Sequence, residues 1–445
     1  MIDLVLKGPD VAAFSPTLLS GGQEGCVVLF TRSVARENDS PRLLAYDFVV
    51  PEPVDYLRRG PLEAELAPTF VATVSKRAKV SNQGLVFVHS HPGTSPPRFS
   101  QIDDQGEAHL ARFLARRLPD QVHLALVISQ GGACARELGS KRPVRVVEVG
   151  SKRRVLSEVQ DPVGWTAPPE FDRQVRAFGS EGQRELGDLR VGIVGVGGTG
   201  SFVAQELAYL GVRHFVIIDA DTVDLTNLNR LAGATRDDIG KNKSDVAKGH
   251  VQRIAPQAKI EAVVGDVMHA SVARRLASLD IIFGCTDSHG SRSVLQQVSY
   301  QYLVPCIDMG VTIVASNGAL SHVYGRIQLL APGYACLTCS GLLDPDQIRR
   351  DMMTPLERRA DPYIAGAAEP APAVMSLNGT VASLAVTMFL SVVTAFPENG
   401  RHLLYNALAT SLRVVAARQR PDCFICSTAG VLALGDSNPL MARQD

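Results

Sequence analysis

One stretch, from Arg190 to Lys243, restricts the possible folds of this chain more than any other. It reads Arg-Val-Gly-Ile-Val-Gly-Val-Gly-Gly-Thr-Gly-Ser, continues as a helix-like run, and then gives Val-Ile-Ile-Asp-Ala-Asp-Thr-Val-Asp-Leu-Thr-Asn-Leu-Asn-Arg and Gly-Lys-Asn-Lys. An apolar strand runs into Gly195, Gly197, Gly198 and Gly200, and a second apolar strand ends at Asp219. Glycines let backbone approach a phosphate, the next helix N-terminus stabilises its charge, and the acid suits a ribose hydroxyl. The glycines alone fit NAD equally well. Asn227, Arg230 and Lys243 do not, because a dinucleotide oxidoreductase has no use for two cations and an amide beyond the second strand. Attack on the α-phosphate of ATP does use them, since the leaving pyrophosphate gathers charge that must be neutralised.

Apolar runs at Arg190–Val196, His214–Asp219, Ile260–Val264, Asp280–Cys285 and Pro305–Asp308 alternate with helical segments. That alternation predicts a Rossmann-like α/β region with a mostly parallel sheet covered on both faces. Upstream, Gly25–Thr31, Leu85–His89 and Val122–Ser129 read as strands and Asp103–Arg117 as a helix, a second α/β unit. Between them Val159–Glu170 is proline-rich, aperiodic and carries the only tryptophan, Trp165. The expected organisation is a first domain over residues 1–155, a linker over 156–170 and a second domain over 171–445, in line with a length of 445 residues.

Lys+Arg and Asp+Glu balance at 45 each, so net charge gives no reason to expect nucleic acid or an anionic membrane as partner. The basic run Lys141–Arg154 reads as a solvated strand edge. No secretory signal is visible, and the longest apolar stretch, Val381–Phe396, is interrupted by Ser383, Thr387, Ser391 and Thr394. It is shorter than the roughly 20 residues that span a bilayer, so a buried helix and a cytoplasmic protein are expected. Four of the eight cysteines form two Cys-x-x-Cys pairs, Cys336/Cys339 and Cys423/Cys426. In a cytosolic chain these favour one tetrahedral structural zinc over disulfides or a redox pair.

His89-Ser-His91-Pro follows an apolar run, and Ser100-Gln-Ile-Asp103 opens a helix. Histidines at i and i+2 point the same way from a strand, and Asp103 can close a third side of a metal, leaving a position for water. Glu24 is the candidate base for that water and Ser100 the candidate donor to an oxyanion. The alternative is a strand-end histidine pair beside a helix-capping aspartate. The pattern resembles the JAB/JAMM (MPN-plus) metalloprotease motif of deubiquitinating enzymes. By that resemblance His89, His91 and Asp103 are zinc ligands, Ser100 supports the oxyanion and Glu24 is the general base. Eight residues rather than seven separate His91 from Ser100. The extra residue falls in a loop, where insertion is tolerated.

From Phe171 to Cys426 the chain resembles the superfamily of ThiF and MoeB adenylyltransferases and ubiquitin-activating enzymes. The resemblance implies adenylation of the C-terminal Gly-Gly carboxylate of a ubiquitin-fold protein, with ATP and magnesium. It makes Arg173, in Arg173-Gln174, an arginine reaching ATP from the partner subunit of a homodimer. Gly195 to Gly200 becomes the phosphate loop, Asp219 the ribose acid and Asp221 a second acid near the phosphates. Asn227, Arg230 and Lys243 become the phosphate-binding trio, Asp287 in Cys285-Thr286-Asp287 the magnesium ligand, and the four paired cysteines a zinc site. Arg292 receives no role. Between Cys339 and Cys423 there is no cysteine, so no thioester on this chain is expected. The acyl-adenylate would pass to a conjugating-enzyme-like partner.

Two such domains in one chain imply a shared substrate, the tail of a ubiquitin-like modifier, activated by one site and trimmed or released by the other, as in bacterial conjugation and antiviral systems. Activation and processing of a sulfur-carrier protein is the alternative. A non-catalytic scaffold and an NAD oxidoreductase are the remaining rivals.

Overall fold

The computed structural model describes residues 1–19, 22–36, 40–157, 165–316, 319–354, 357, 372–397 and 400–444. Residues 158–164 of the expected linker, and residues 355–356 and 358–371, lie outside them. The chain divides into two compact units, Met1–Gly164 with Leu432–Pro439 and Trp165–Val431 with Leu440–Asp445. The C-terminal stretch is therefore not continuous with one unit, as a single domain over 171–445 would have it.

The first unit contains, in chain order, β1 (Ile2–Lys7), α1 (Gly8–Leu19), β2 (Cys26–Val34), β3 (Arg42–Val49), β4 (Tyr56–Arg59), β5 (Ala64–Leu66), α2 (Pro68–Val80) and β6 (Gly84–Ser90). There follow α3 (Gln101–Arg117), β7 (Leu124–Ser129), β8 (Gly132–Glu137), β9 (Pro143–Val149) and β10 (Arg153–Val155). Eight strands run in the order β1-β3-β2-β6-β7-β8-β9-β10, and β1 also pairs with β9, so the sheet closes on itself. One face buries Leu4, Leu6, Val27, Leu29, Val86 and Leu126 with Phe14 and Leu18 of α1. The other packs Phe30 and Leu85 against Phe70 and Val74 of α2 and Leu114 of α3. Leu432–Pro439 joins this unit at β2, where Ala35 donates its N–H to Asp436 at 3.0 Å.

The second unit holds α4 (Asp172–Asp188), β11 (Arg190–Val194), α5 (Gly200–Tyr209), β12 (His214–Asp219), α6 (Lys243–Ile254), β13 (Lys259–Val264), α7 (Ala270–Arg275) and β14 (Ile281–Gly284). It continues with α8 (His289–Gln301), β15 (Cys306–Ser316), β16 (Ala319–Leu330), α9 (Pro345–Met352), α10 (Met375–Val393), β17 (His402–Asn406) and β18 (Ser411–Val414). The strand order is β13-β12-β11-β14-β15-β16-β17-β18. Pairings from β13 through β15 are parallel, and those from β15 through β18 are antiparallel. The expected mostly parallel sheet is thus parallel in only one half. The strand starting near Pro305 does not end at Asp308 but runs on to Ser316, paired along its length with β16, and Asp308 near its start is buried beside Arg292 and Arg326.

α10 starts at Met375, well before the apolar run at Val381, and its 19 residues are long and apolar enough to cross a membrane by length and composition. Ten of them are buried, and Val381, Ala382, Ala385, Met388 and Phe389 belong to the core with Ile193, Leu207 and Leu329. α8 is nearly all buried despite carrying Ser293, Gln296, Gln297, Ser299 and Gln301. Its polar groups are partnered: Gln296 bonds Thr338, Ser299 donates to the Leu330 carbonyl, and Tyr300 donates to the Tyr334 carbonyl at 2.8 Å.

Candidate functional site

In the second unit the loop after β11, the end of β12 and the loop after β14 lie together at the carboxyl ends of parallel strands, where α/β sheets place ligands. The glycines of the first loop have separate causes. Gly195 has φ +83°, a conformation that side chains disfavour, and a Cβ there would meet the Cys285 carbonyl oxygen at 2.9 Å. A Cβ on Gly200 would fall on the Gly195 carbonyl, and one on Gly198 would overlap the Asn378 side-chain amide.

Asp219 is buried at the end of β12, where Oδ2 accepts from the Val196 N–H at 2.7 Å and Oδ1 from the Asp221 N–H at 2.9 Å. Burial raises its pKa above the usual carboxylate value, against the lowering by the two N–H groups. In the described geometry Asp219 fastens the glycine loop, and each oxygen keeps acceptor capacity for a sugar hydroxyl. Lys243 opens α6 and pairs with Asp221 at 2.7 Å. The aliphatic stem of Arg230 lies against Gly198, while its guanidinium donates to the Thr226 carbonyl at 2.7 Å. Asn227 accepts from the Asp224 N–H at 3.2 Å, closing the short turn that carries Arg230.

Asp287 is exposed just ahead of α8, whose cap is Ser288. Arg173 is exposed on α4; its neighbour Gln174 donates to the Tyr209 carbonyl at 3.0 Å. Among the described residues Arg173 makes no hydrogen bond or ion pair with the glycine loop. Arg292 has a definite place: with Arg326 it flanks the carboxylate of Asp308. Asp308, Arg326 and Asn378 did not stand out in the sequence, since each sits inside an otherwise apolar or strand-like run.

The four paired cysteines come together. Sγ atoms of Cys336 and Cys423, and of Cys339 and Cys426, are 3.6 Å apart, and all four lie within 4.8 Å of one another. Tetrahedral zinc with bonds of about 2.3 Å needs sulfurs roughly 3.8 Å apart, so the donor set fits. The Cys339 N–H points at Cys336 Sγ and the Arg420 N–H at Cys339 Sγ, both at 3.4 Å, a setting that favours thiolates.

In the first unit β6 carries His89, and His91 follows directly after its last residue. Their Nε2 atoms are 3.2 Å apart, and Asp103 lies 3.0 Å from His89 and 3.7 Å from His91. Glu24 approaches His91 at 3.8 Å. Zinc bonds of about 2.0–2.1 Å to nitrogen and oxygen call for ligand separations of roughly 3.3 Å, which these atoms match. Ser100 caps α3, its Oγ accepting from the Asp103 N–H at 3.2 Å while Asp103 accepts from the Ser100 N–H at 2.6 Å. The same serine–aspartate pair thereby starts the helix and aims the carboxylate.

Burial pushes Glu24 up to about 7, against the opposing charge of His89 and with help from Asp103 and Glu63. Burial also lowers His91. Asp103 stays well below the usual range because its bonds with His89 and Ser100 outweigh its burial. The backbone of Glu24 is held by the Gly60 carbonyl at 2.8 Å and by Arg59, and the adjoining Gly25 N–H donates to Ser90 Oγ at 2.9 Å. Glu24, His89, Asp103, Glu63, Ile102 and Phe113 face a cleft of about 620 Å³.

The ThiF family matches residues 171–425. The chain belongs to the ThiF family. It is 28% identical over 260 residues to the SAMP-activating enzyme E1 of Haloferax volcanii, covering 58% of this chain and 87% of that protein. It is also 28% identical to the molybdopterin-synthase adenylyltransferase of Escherichia coli, covering 58% and 95% respectively. Ubiquitin-like modifier-activating enzyme 5 of Oryza sativa subsp. japonica is 27% identical, covering 53% of this chain and 55% of that one. Among solved structures, MccB of E. coli with AMPCPP and MccA aligns at a TM-score of 0.47 and 18% identity, covering 60% of this chain and 76% of that one. The second unit is an adenylyltransferase domain of the E1/ThiF type. Residues 1–170 lie outside the family match.

Proposed function

We propose that the second unit adenylates the C-terminal carboxylate of a ubiquitin-like protein and that the first unit hydrolyses peptide or isopeptide bonds at the same tail. The observation that carries the first half is the family match over a glycine loop with Lys243, Asp221 and Arg230 gathered beside it. A carboxylate oxygen attacks the α-phosphorus, the bond to the bridging oxygen breaks, and pyrophosphate departs. No general base is needed, because a carboxylate is ionised at neutral pH. Arg230 and Lys243 offset the repulsion between the two anions and the charge of the leaving group. Magnesium held at Asp287 would screen the phosphates.

The second half rests on the arrangement of His89, His91, Asp103 and Glu24, which reads as a JAMM-type peptidase site. Zinc there would polarise a water molecule. His89, His91 and Asp103 would hold that zinc; Glu24, with its raised pKa, would accept a proton from the attacking water and pass it to the leaving amine, and Ser100 Oγ would donate to the developing oxyanion.

We place the activity in the cytoplasm, in a homodimer with Arg173 acting across the interface, and we assign acceptance of the acyl group to a partner protein. Cys26 and Cys306 are buried with thiols raised well above their ordinary values, and Cys285 is raised too, which disfavours a thioester at these three positions. A sulfur-carrier substrate is the second reading, favoured by the likeness to molybdopterin-synthase adenylyltransferase. The test is ATP–pyrophosphate exchange with small Gly-terminated proteins, followed by cleavage of their C-terminal extensions. Exchange with none of them would reject the proposal.

A further inference from the structure

Asn378 is a polar residue in an apolar helix, four residues from the start of α10 and only 5% exposed. Its backbone N–H donates to the Val374 carbonyl, but among the described residues its side-chain amide has no hydrogen-bond partner. A leucine at this position would bury more apolar surface than the carboxamide does, so packing of the helix alone does not call for asparagine. The amide does have a neighbour. Its Nδ2 sits where a Cβ of Gly198 would be, so only glycine in the phosphate loop allows the contact.

Two further contacts fix this placement. Gly379, the next residue, lies against the ring of Phe202 on α5, with a Cβ position only 3.4 Å from it. This seats α10 on the helix that begins in the glycine loop. The stem of Arg230 lies over the same Gly198, with Cδ 3.5 Å from that Cβ position. A neutral donor and the stem of an arginine thus converge on one peptide of the loop.

We propose that Asn378 is a further catalytic residue of adenylation, donating its side-chain N–H to the non-bridging oxygen of the α-phosphate that lies over Gly198. This assignment rests on the adenylation reading. A carboxamide suits the task because it donates to an anion without itself carrying a charge. An aspartate would repel both the phosphate and the incoming carboxylate. The donor is held in place before the substrate arrives, so it needs little reorganisation as charge grows on the phosphoryl oxygens.

The test uses the full-length zinc-loaded chain and two probes, adenosine and 5′-O-(glycylglycyl)sulfamoyladenosine, whose sulfamate stands in for the α-phosphate of the acyl-adenylate. Asn378→Ala is expected to weaken the sulfamate probe about ten- to a hundredfold, the span of a hydrogen bond to a charged group. It should leave adenosine affinity and melting temperature close to those of the parent. Asn378→Asp should weaken the sulfamate probe further. A merely structural role would lower the melting temperature and weaken both probes alike, and that outcome overturns the proposal. So does a sulfamate affinity for Asn378→Ala within twofold of the parent. Failure of the parent to bind either probe overturns the adenylation reading and this assignment with it.

Discussion

Replacing Asp308 by Asn should be among the most damaging single changes in the second unit. Asp308 is fully buried, paired with Arg326 and lying 3.6 Å from Arg292 Nε, and the side chains of those arginines are only 13% and 16% exposed. His402 does not share the charge, since burial and the neighbouring Arg326 hold its pKa down to about 4. One carboxylate thus serves two guanidinium groups that have given up most of their water. Removing its charge leaves two adjacent cations unpaired, and breaking a buried pair in this way typically costs about 3–5 kcal/mol. For a unit of this size a loss of that order lowers the melting temperature by roughly 6–20 °C. Calorimetry of the full chain can assign the transition, because MgATP should raise the melting temperature of the second unit alone. Asp308→Leu combined with Arg326→Met should cost less than Asp308→Leu alone, because one cation leaves with its partner. A drop below about 2 °C for Asp308→Asn would refute the reasoning, since it would mean the guanidinium groups are satisfied without the carboxylate.

Asp3 carries the clearest pH prediction. Burial raises its pKa, but its hydrogen bond and charge interaction with Arg145, with the charges of Arg36 and Arg42, bring it below the ordinary 3.8. The stabilisation is therefore complete above that ordinary value and is lost as pH falls through the lower folded one. Urea midpoints of the first unit should drop on going from pH 5 to pH 3, and Asp3→Asn should be less stable at pH 5 and respond less to acid. Metal analysis should find two zinc ions per chain. His91→Ala should remove one with little change in melting temperature, whereas Cys423→Ala should remove the other and destabilise the second unit. Asp287→Ala should abolish pyrophosphate exchange and spare peptide cleavage. Glu24→Gln should do the reverse, with a loss of about two to four orders of magnitude in cleavage rate.

The sequence was most readable where function and local geometry make the same demand. Gly195 and Gly200 are required by backbone contacts that also admit a phosphate, so spacing alone located the loop. His89 and His91 stand two residues apart at the end of a strand, and four cysteines in two pairs declare their own partnership. Pairing between remote segments was not legible. The closure of the first sheet depends on β1 meeting β9, which no local pattern announces. The antiparallel half of the second sheet was hidden because Asp308 looked like a strand end, and only Arg292 and Arg326 make it a buried residue. Asn378 was overlooked for a similar reason: its meaning comes from Gly198, 180 positions upstream.

The two cysteine pairs lie 87 residues apart along the chain yet share one donor set. With zinc bound they amount to a covalent-like staple around a large loop that contains α9, α10, β17 and β18. In the chain-entropy picture, fastening a loop of that size stabilises the native state by roughly 4–5 kcal/mol, through what it denies the unfolded ensemble. A protein nicked once between the two knuckles would then persist as a single particle, both fragments gripping the same ion, and would separate only when a chelator is combined with denaturant. Activity surviving a nick, and vanishing once chelator and denaturant together part the fragments, would be the behaviour of a machine whose continuity is kept by metal rather than by peptide bonds.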